Sequence, residues 1–243
     1  MRFEDFIESS SRAQNVDALF DDYKKAMHQL GFDRLIFSLM TDHVSIDRNA
    51  GHGIILNYSD DWMNYYTEKS YDVYDPVRRQ MFSAAGTFRW DDVMEVPTLT
   101  DTQKTLMYEA DDAGMKSGIG IPLRGPRGAL AGIGAASSTG GVALDDKVLL
   151  SYAHLISQQF YTVFLELESN RTPDGDGVIF LTDREQEILK WCGRGKTRGE
   201  IATLLSLSDR TVNFHINNAL KKLGASNVTL GVLKALHRGL IQI

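Results

Sequence analysis

The chain has one cysteine, Cys192, and so cannot close a disulfide within itself, which fits a reducing compartment. It has no run approaching the roughly 18–20 consecutive apolar residues of a membrane helix. Its start, MRFEDFIESS, is acidic and polar where a secretory signal would need an apolar stretch. These absences predict a cytoplasmic protein without membrane contact. Metal-ligand spacing is also missing: His28, His43, His52, His154, His215 and His237 are scattered. No nucleophile elbow is present, and Gly195-Lys196-Thr197 lacks the glycine a phosphate loop needs five residues earlier, since position 190 is Lys. An enzyme, a metal and a bound cofactor are therefore not expected.

What is present divides unevenly. The net charge is −6, yet 181–243 carries 10 Lys and Arg against 5 Asp and Glu, leaving 16 against 27 in 1–180. A small basic module on an acidic body predicts that the module meets phosphate while the body does something else. Between them SNRTPDGDG has no apolar residue and is rich in turn formers, which marks a linker at 169–178.

The body mixes helices and strands. NVDALFDDYKKAMHQL (15–30) has a helical period with Asn15 as cap. DRLIFSLM (33–40) and GIILNY (53–58) read as strands. Ser59 caps a helix over DDWMNYYTEK, Asp75-Pro76 opens another, Thr87 to Trp90 is a short strand, and a helix runs from Thr100 or Asp101 to Met115. Strands at 118–124 and 129–138 form a hairpin around Gly125-Pro126-Arg127-Gly128. In this hairpin Gly118, Gly120 and Pro122 alternate with Ile119, Ile121 and Leu123, and Gly132, Gly134, Ala135 and Ala136 follow on the second strand. Small residues on a sheet leave volume that a packed helix or a ligand must fill. Residues 143–168 carry the longest helical pattern.

The basic module is four short capped helices joined by tight turns. Thr182 starts the first with Glu185 as a capping box, Thr197 the second, Ser208 the third, and Asn227 or Ser226 the fourth. In the third, Val212, Ile216, Ala219 and Leu223 make an apolar stripe, and Arg210, Asn213 and Asn217 a polar one. His215 lies beside the apolar stripe and reads as a half-buried structural histidine. This is a helix-turn-helix pattern. Arg and Asn match guanine and adenine edges in the major groove. Arg210, Asn213 and Asn217 are therefore candidates for base contacts, and Lys196, Thr197, Arg198, Thr211 and Lys221 for phosphate contacts.

This module resembles the helix-turn-helix of LuxR-type transcription regulators. The resemblance is carried by Leu181, Thr182, Glu185, Leu189, Gly195, Lys196, Glu200, Ile201, Ala202, Ser208, Thr211, Val212, His215, Ile216, Lys222 and Leu223. The body lacks the acidic pair, phosphorylatable Asp and Lys of a receiver domain. It is similar instead to the ligand-binding domain of the quorum-sensing members, with Tyr58, Trp62, Tyr66, Asp75, Pro76, Trp90 and Gly118 at that family's spacings.

The resemblance implies an α+β protein. An N-terminal α-β-α sandwich with a central antiparallel sheet (1–168) would bind the autoinducer, an N-acyl-homoserine lactone. A C-terminal all-α four-helix domain (179–243) would bind DNA. Trp62 would donate to the lactone carbonyl, Asp75 accept the amide N–H and Tyr58 donate to the acyl carbonyl. Tyr66 and Trp90 would wall the site beside Val77 and Gly118. Val77 stands where some relatives carry a hydroxyl. The implied partners are double-stranded DNA, the small-molecule autoinducer, a second copy in a homodimer joined through helix 143–168 and the last helix, and RNA polymerase at the promoters it activates. Taken singly, these residues have plainer roles: Asp75 is a helix cap and the three aromatics are core. An orphan regulator for another small molecule, or an anti-activator acting by heterodimerisation, stays open.

Overall fold

The computed structural model describes residues 3–171 and 179–243, which divide into two compact units, each treated by itself. In the first unit α1 (Phe3–Ser10) and α2 (Val16–Gln29) lead into β1 (Arg34–Leu39) and β2 (Gly51–Leu56). A run of short elements follows: α3 (Asp60–Glu68), α4 (Tyr71–Tyr74), α5 (Pro76–Ser83), β3 (Phe88–Arg89), α6 (Trp90–Met94) and α7 (Asp101–Asp112). The hairpin β4 (Ser117–Arg124) and β5 (Leu130–Ser137) precedes the long α8 (Lys147–Arg171).

The five strands form one antiparallel sheet in the order β2-β1-β5-β4-β3. Period-two alternation gives it two unlike faces. On one face Ile119, Ile121 and Leu123 pair with Ala135, Ile133 and Ala131, and join Phe37 under α2 and α8. Phe37, Tyr23, Phe160 and Phe164 interlock there, with the Tyr23 and Phe160 rings 4.6 Å apart. On the other face Gly118, Gly120 and Pro122 pair with Ala136, Gly134 and Gly132. Side chains from α3, α5, α6 and α7 cover this bare strip and form a second, smaller core. The α-β-α sandwich expected from the family resemblance is the architecture found.

The caps explain why the helices start where they do. Asn15, Ser59 and Thr100 each accept a backbone N–H in the first turn, and Asp75 accepts two, from Val77 at 2.8 Å and Arg78 at 3.1 Å. Several boundaries differ from expectation. The strand expected at 87–90 is only Phe88–Arg89, because Trp90 already begins α6. The helix expected to reach Met115 ends at Asp112, and the second strand starts at Gly51 rather than Gly53. α8 begins at Lys147 and continues through Ser169, Asn170 and Arg171, so these three are helix rather than linker; residues 172–178 of the expected linker lie outside the described residues. Local backbone bonds extend through these polar residues, a continuation that composition does not register.

The second unit contains α9 (Asp183–Gly193), α10 (Arg198–Leu205), α11 (Asp209–Leu223) and α12 (Val228–His237). Thr182, Thr197, Ser208 and Asn227 cap them as expected, and Glu200 completes a second capping box. The α11 stripe of Val212, Ile216, Ala219 and Leu223 is buried, packing against Ile188 and Ile201 at one end and Leu189 and Val232 at the other. No helix of the described residues is long and apolar enough to cross a membrane.

Candidate functional site

The bare strip of β4 and β5 is where large side chains meet. A Cβ on Gly118 would lie 2.2 Å from the Trp90 ring, and one on Gly120 2.2 Å from the Phe88 ring. Around Gly134 the nearest atoms are Ile36 Cγ2 at 2.9 Å, the Tyr58 hydroxyl at 3.3 Å and Trp90 Cζ2 at 3.8 Å. Side chains, and beside them a cavity, take the volume the small residues leave. Gly118, expected to touch the signal, does not line that cavity; its missing side chain seats the Trp90 indole.

The cavity has a volume of about 70 Å³. Of the expected residues, Tyr58, Trp62, Tyr66, Asp75, Val77 and Trp90 all line it, brought together from α3, α5, α6 and the loop after β2. Five of the eight methionines line it too: Met40, Met63, Met81, Met107 and Met115. Unbranched and polarizable, they adapt their shape to an occupant at low cost. Sequence reasoning missed them, because they come from five separate segments and share no local period.

Few polar atoms face this space. Asp75 Oδ1 is taken up by the α5 cap, while Oδ2 accepts the Tyr66 hydroxyl at 2.8 Å. A carboxylate has about four acceptor positions, so Oδ2 can take a further donor. Burial pushes the Asp75 carboxyl above its ordinary range, partly offset by the bonds from the Arg78 N–H, Tyr66 and the Val77 N–H. Tyr66 was expected as a wall; its hydroxyl also orients Asp75 from inside the cavity. Burial, followed by the Asp75 charge, raises both the Tyr58 and Tyr66 hydroxyls, which keeps them protonated donors.

Of the residues that line the cavity, two carry a buried donor with no partner among the described residues: the Tyr58 hydroxyl and the Trp90 indole N–H. An unmet buried donor costs about 1–3 kcal/mol. Trp90 was expected only as a wall; its indole N–H is buried and without a partner among the described residues. No sequence signal distinguishes that N–H from an ordinary core indole. Beside Asp75, the cavity lining thus holds two buried donors without a partner, within an apolar, methionine-rich shell.

Three further polar groups reach the cavity and were also missed: Ser38, His52 and Arg78. His52 stacks on Tyr66 with ring centroids 4.8 Å apart.

In the second unit, Arg210 and Asn217 are exposed and Asn213 half-buried on α11, with exposed Phe214 between them. Lys196, Arg198 and Lys221 are exposed; Lys196 bonds Glu200 at 3.1 Å. Thr197 and Thr211 lie at the first turns of α10 and α11, and the Thr211 hydroxyl is 2.8 Å from that of Ser208. His215 is half-buried, with its ring 5.5 Å from that of Phe214. Buried Glu185 accepts Thr182 N–H at 2.8 Å and Lys222 Nζ at 2.7 Å, tying α9 to α11. Burial opposes its charge, but the bonds from Lys222 and Thr182 outweigh that and hold the carboxyl below its usual range.

Both units match known sequence families. The autoinducer binding domain matches residues 15–162, and the luxR family of bacterial regulatory proteins matches residues 180–235. The transcriptional activator protein SolR of Ralstonia solanacearum is 30% identical over 98% of each chain. The quorum-sensing regulator RhlR of Pseudomonas aeruginosa is 30% identical over 94% of this chain and 90% of its own. Among solved structures, Escherichia coli SdiA superposes with a TM-score of 0.70 at 24% identity, covering 99% of this chain and 98% of that one. SdiA in complex with octanoyl-rac-glycerol gives 0.64 at 25% identity, covering 98% and 94%.

Proposed function

Since this chain belongs to the LuxR family of quorum-sensing transcription regulators, with an autoinducer-binding domain and a helix-turn-helix DNA-binding domain, we propose that its signal is an N-acyl-homoserine lactone. We further propose that it binds a pseudo-palindromic promoter site as a homodimer and activates transcription with RNA polymerase. The observation that carries the ligand is the pairing of Asp75 with two orphan donors, Tyr58 and Trp90, in one apolar cavity. An acyl-homoserine lactone presents an amide N–H, an acyl carbonyl, a lactone carbonyl and an apolar tail. Its N–H goes to Asp75 Oδ2, its acyl carbonyl to the Tyr58 hydroxyl and its lactone carbonyl to the Trp62 indole, with Trp90 as a further donor beside them. Bonds to an ionised acceptor contribute about 1.5–3 kcal/mol. The signal also completes the smaller core, so it favours the folded state by mass action.

On this reading 1–168 is the signal-binding part and 179–243 the DNA-binding part, with the connection starting after α8. Exposed Val148, Tyr152 and Leu155 recur along α8 at helical spacing and supply the proposed dimer face. Arg210, Asn213 and Asn217 read bases in half-sites about 10 bp apart or a multiple of that. Lys196, Thr197, Arg198, Thr211 and Lys221 hold phosphates.

The test is mass spectrometry of organic extracts from protein purified after growth with a panel of candidate lactones. Recovery of a lactone in near-stoichiometric amount supports the reading, and extracts free of every lactone overturn it. With the recovered signal, Asp75→Asn raises the concentration for half-maximal promoter response about tenfold or more, since the amide keeps a cap oxygen but loses the charge. An unchanged dose response would leave Asp75 as a cap alone.

A further inference from the structure

We infer that Phe214 reads DNA together with Arg210 and Asn217, its ring covering the 5-methyl group of a thymine that lies between the bases these two contact. The inference rests on the reading of α11 as the base-contacting helix, and adds to it a residue and the base it selects.

α11 runs from Asp209 to Leu223, with Ser208 capping its start. Its buried stripe is Val212, Ile216, Ala219 and Leu223. At roughly 100° per residue, Arg210, Phe214, Asn217 and Lys221 form a second stripe on nearly the opposite side of the helix. All four are exposed. Phe214 is 60% exposed and belongs to neither apolar cluster of this unit. Its ring stands edge-on to that of half-buried His215, 5.5 Å away, which steadies it while its outer face stays in water.

A single exposed apolar side chain is ordinary on a protein surface and by itself points to nothing. The position of this one is what carries the argument. A large aromatic stands within a polar stripe, one turn after Arg210 and one turn before Asn217. Lys221 continues the stripe, and 181–243 carries 10 Lys and Arg against 5 Asp and Glu, so the surface complements an anionic partner. The cap at Ser208 puts Arg210 and Phe214 in the first two turns, the part of a recognition helix that reaches base edges. In the major groove Arg pairs with guanine and Asn with adenine through hydrogen bonds. A phenyl ring can make neither bond. The apolar group that base edges present there is the thymine 5-methyl, and a ring can cover it. Cytosine at the same step would present an amino donor and no methyl, and that donor would lose its water under the ring. Phe214 thus favours thymine at a step that neither Arg210 nor Asn217 reads.

The test begins by selecting the preferred site from a random duplex pool with full-length protein purified after growth with the panel of lactones. Each thymine of the enriched site is then replaced in turn by deoxyuridine, which removes the methyl and keeps every hydrogen-bonding group. Fluorescence anisotropy measures the affinity for each duplex. One thymine per half-site is expected at which methyl deletion weakens binding about fourfold, the worth of one buried methyl. Phe214→Ala is expected to bind the thymine and uracil duplexes equally at that position. A penalty that persists in Phe214→Ala overturns the inference, because the methyl then meets another group. A Phe214 with only a structural role would lower both affinities by one factor and leave their ratio unchanged, which equally refutes it. The scan on the unaltered protein stands without any variant: an enriched site indifferent to every methyl deletion overturns the inference alone. Enrichment of no sequence at all is a distinct result, and removes base reading by α11 and the inference with it.

Discussion

Gly118 and Trp90 form a single device, and each is intelligible only with the other. A methyl group on Gly118 would overlap the indole at 2.2 Å, where backbone on one side and a packed ring on the other leave little room to yield. Gly118→Ala is therefore expected to destabilise the first unit by about 1–3 kcal/mol, the usual cost of overpacking a filled core. Urea unfolding followed by tryptophan fluorescence measures this. The same change displaces the Trp90 N–H and weakens the response to signal. The family resemblance names Gly118 as a ligand residue; the structure places it under the Trp90 ring and outside the cavity lining, a packing relation the sequence alone does not show. Asp75 shows the converse: its cap was legible in the sequence, and the structure gives Oδ1 to that cap while Oδ2 accepts the Tyr66 hydroxyl.

At the scale of elements, caps and an ion pair on a buried carboxylate help to hold the helices of the second unit. Glu185 serves both, accepting the Thr182 N–H within the α9 capping box and Lys222 from α11. Glu185→Gln retains an acceptor oxygen for the cap but loses the charge that Lys222 meets, at an expected cost of about 1.5–3 kcal/mol. The pH dependence has a definite sign. The folded carboxyl sits below its ordinary value of 4.5. Its contribution is thus fully present above that value and is lost as pH falls through the depressed one. Thermal unfolding followed by helical circular dichroism should show a smaller acid loss for the variant between pH 5 and the depressed value. An equal loss would show that other carboxylates set the acid limit. The capping box could be read from Thr182 and Glu185, three residues apart. The Lys222 contact could not, because 37 residues separate the partners and only helix packing joins them.

Across the whole molecule, charge and chemistry are separated along the chain. The acidic first part holds the apolar cavity, and the basic last part presents α11 with Arg210 and Asn217 exposed. If Asn217 reads a base edge, Asn217→Ala costs about 1–3 kcal/mol on the target site while leaving random-sequence binding and its salt dependence as they were. Lys221→Ala, a phosphate contact on the same reading, should lower both affinities and reduce the salt slope by about one. Fluorescence anisotropy with specific and random duplexes at several salt concentrations distinguishes the two. Equal losses for Asn217→Ala on both duplexes would remove its base-reading role.

The sequence by itself determined the local and periodic features. These are the helix starts at Asn15, Ser59, Asp75, Thr182, Thr197 and Ser208, those near Thr100 and Asn227 to within a residue, the apolar stripe of α11, the two-faced hairpin and the opposite charge of the two parts. Each rests on residues within a few positions of one another, where spacing translates directly into geometry. The tertiary structure alone decided which side chains share a cavity. Five methionines, two orphan donors and the Ser38–His52–Arg78 group come from separate segments spread between Ser38 and Met115. Their convergence depends on strand order and on the irregular pairing of β1 with β2, and neither leaves a periodic trace. Burial follows from the same packing, and burial is what turns an ordinary hydroxyl or indole into a group that needs a partner.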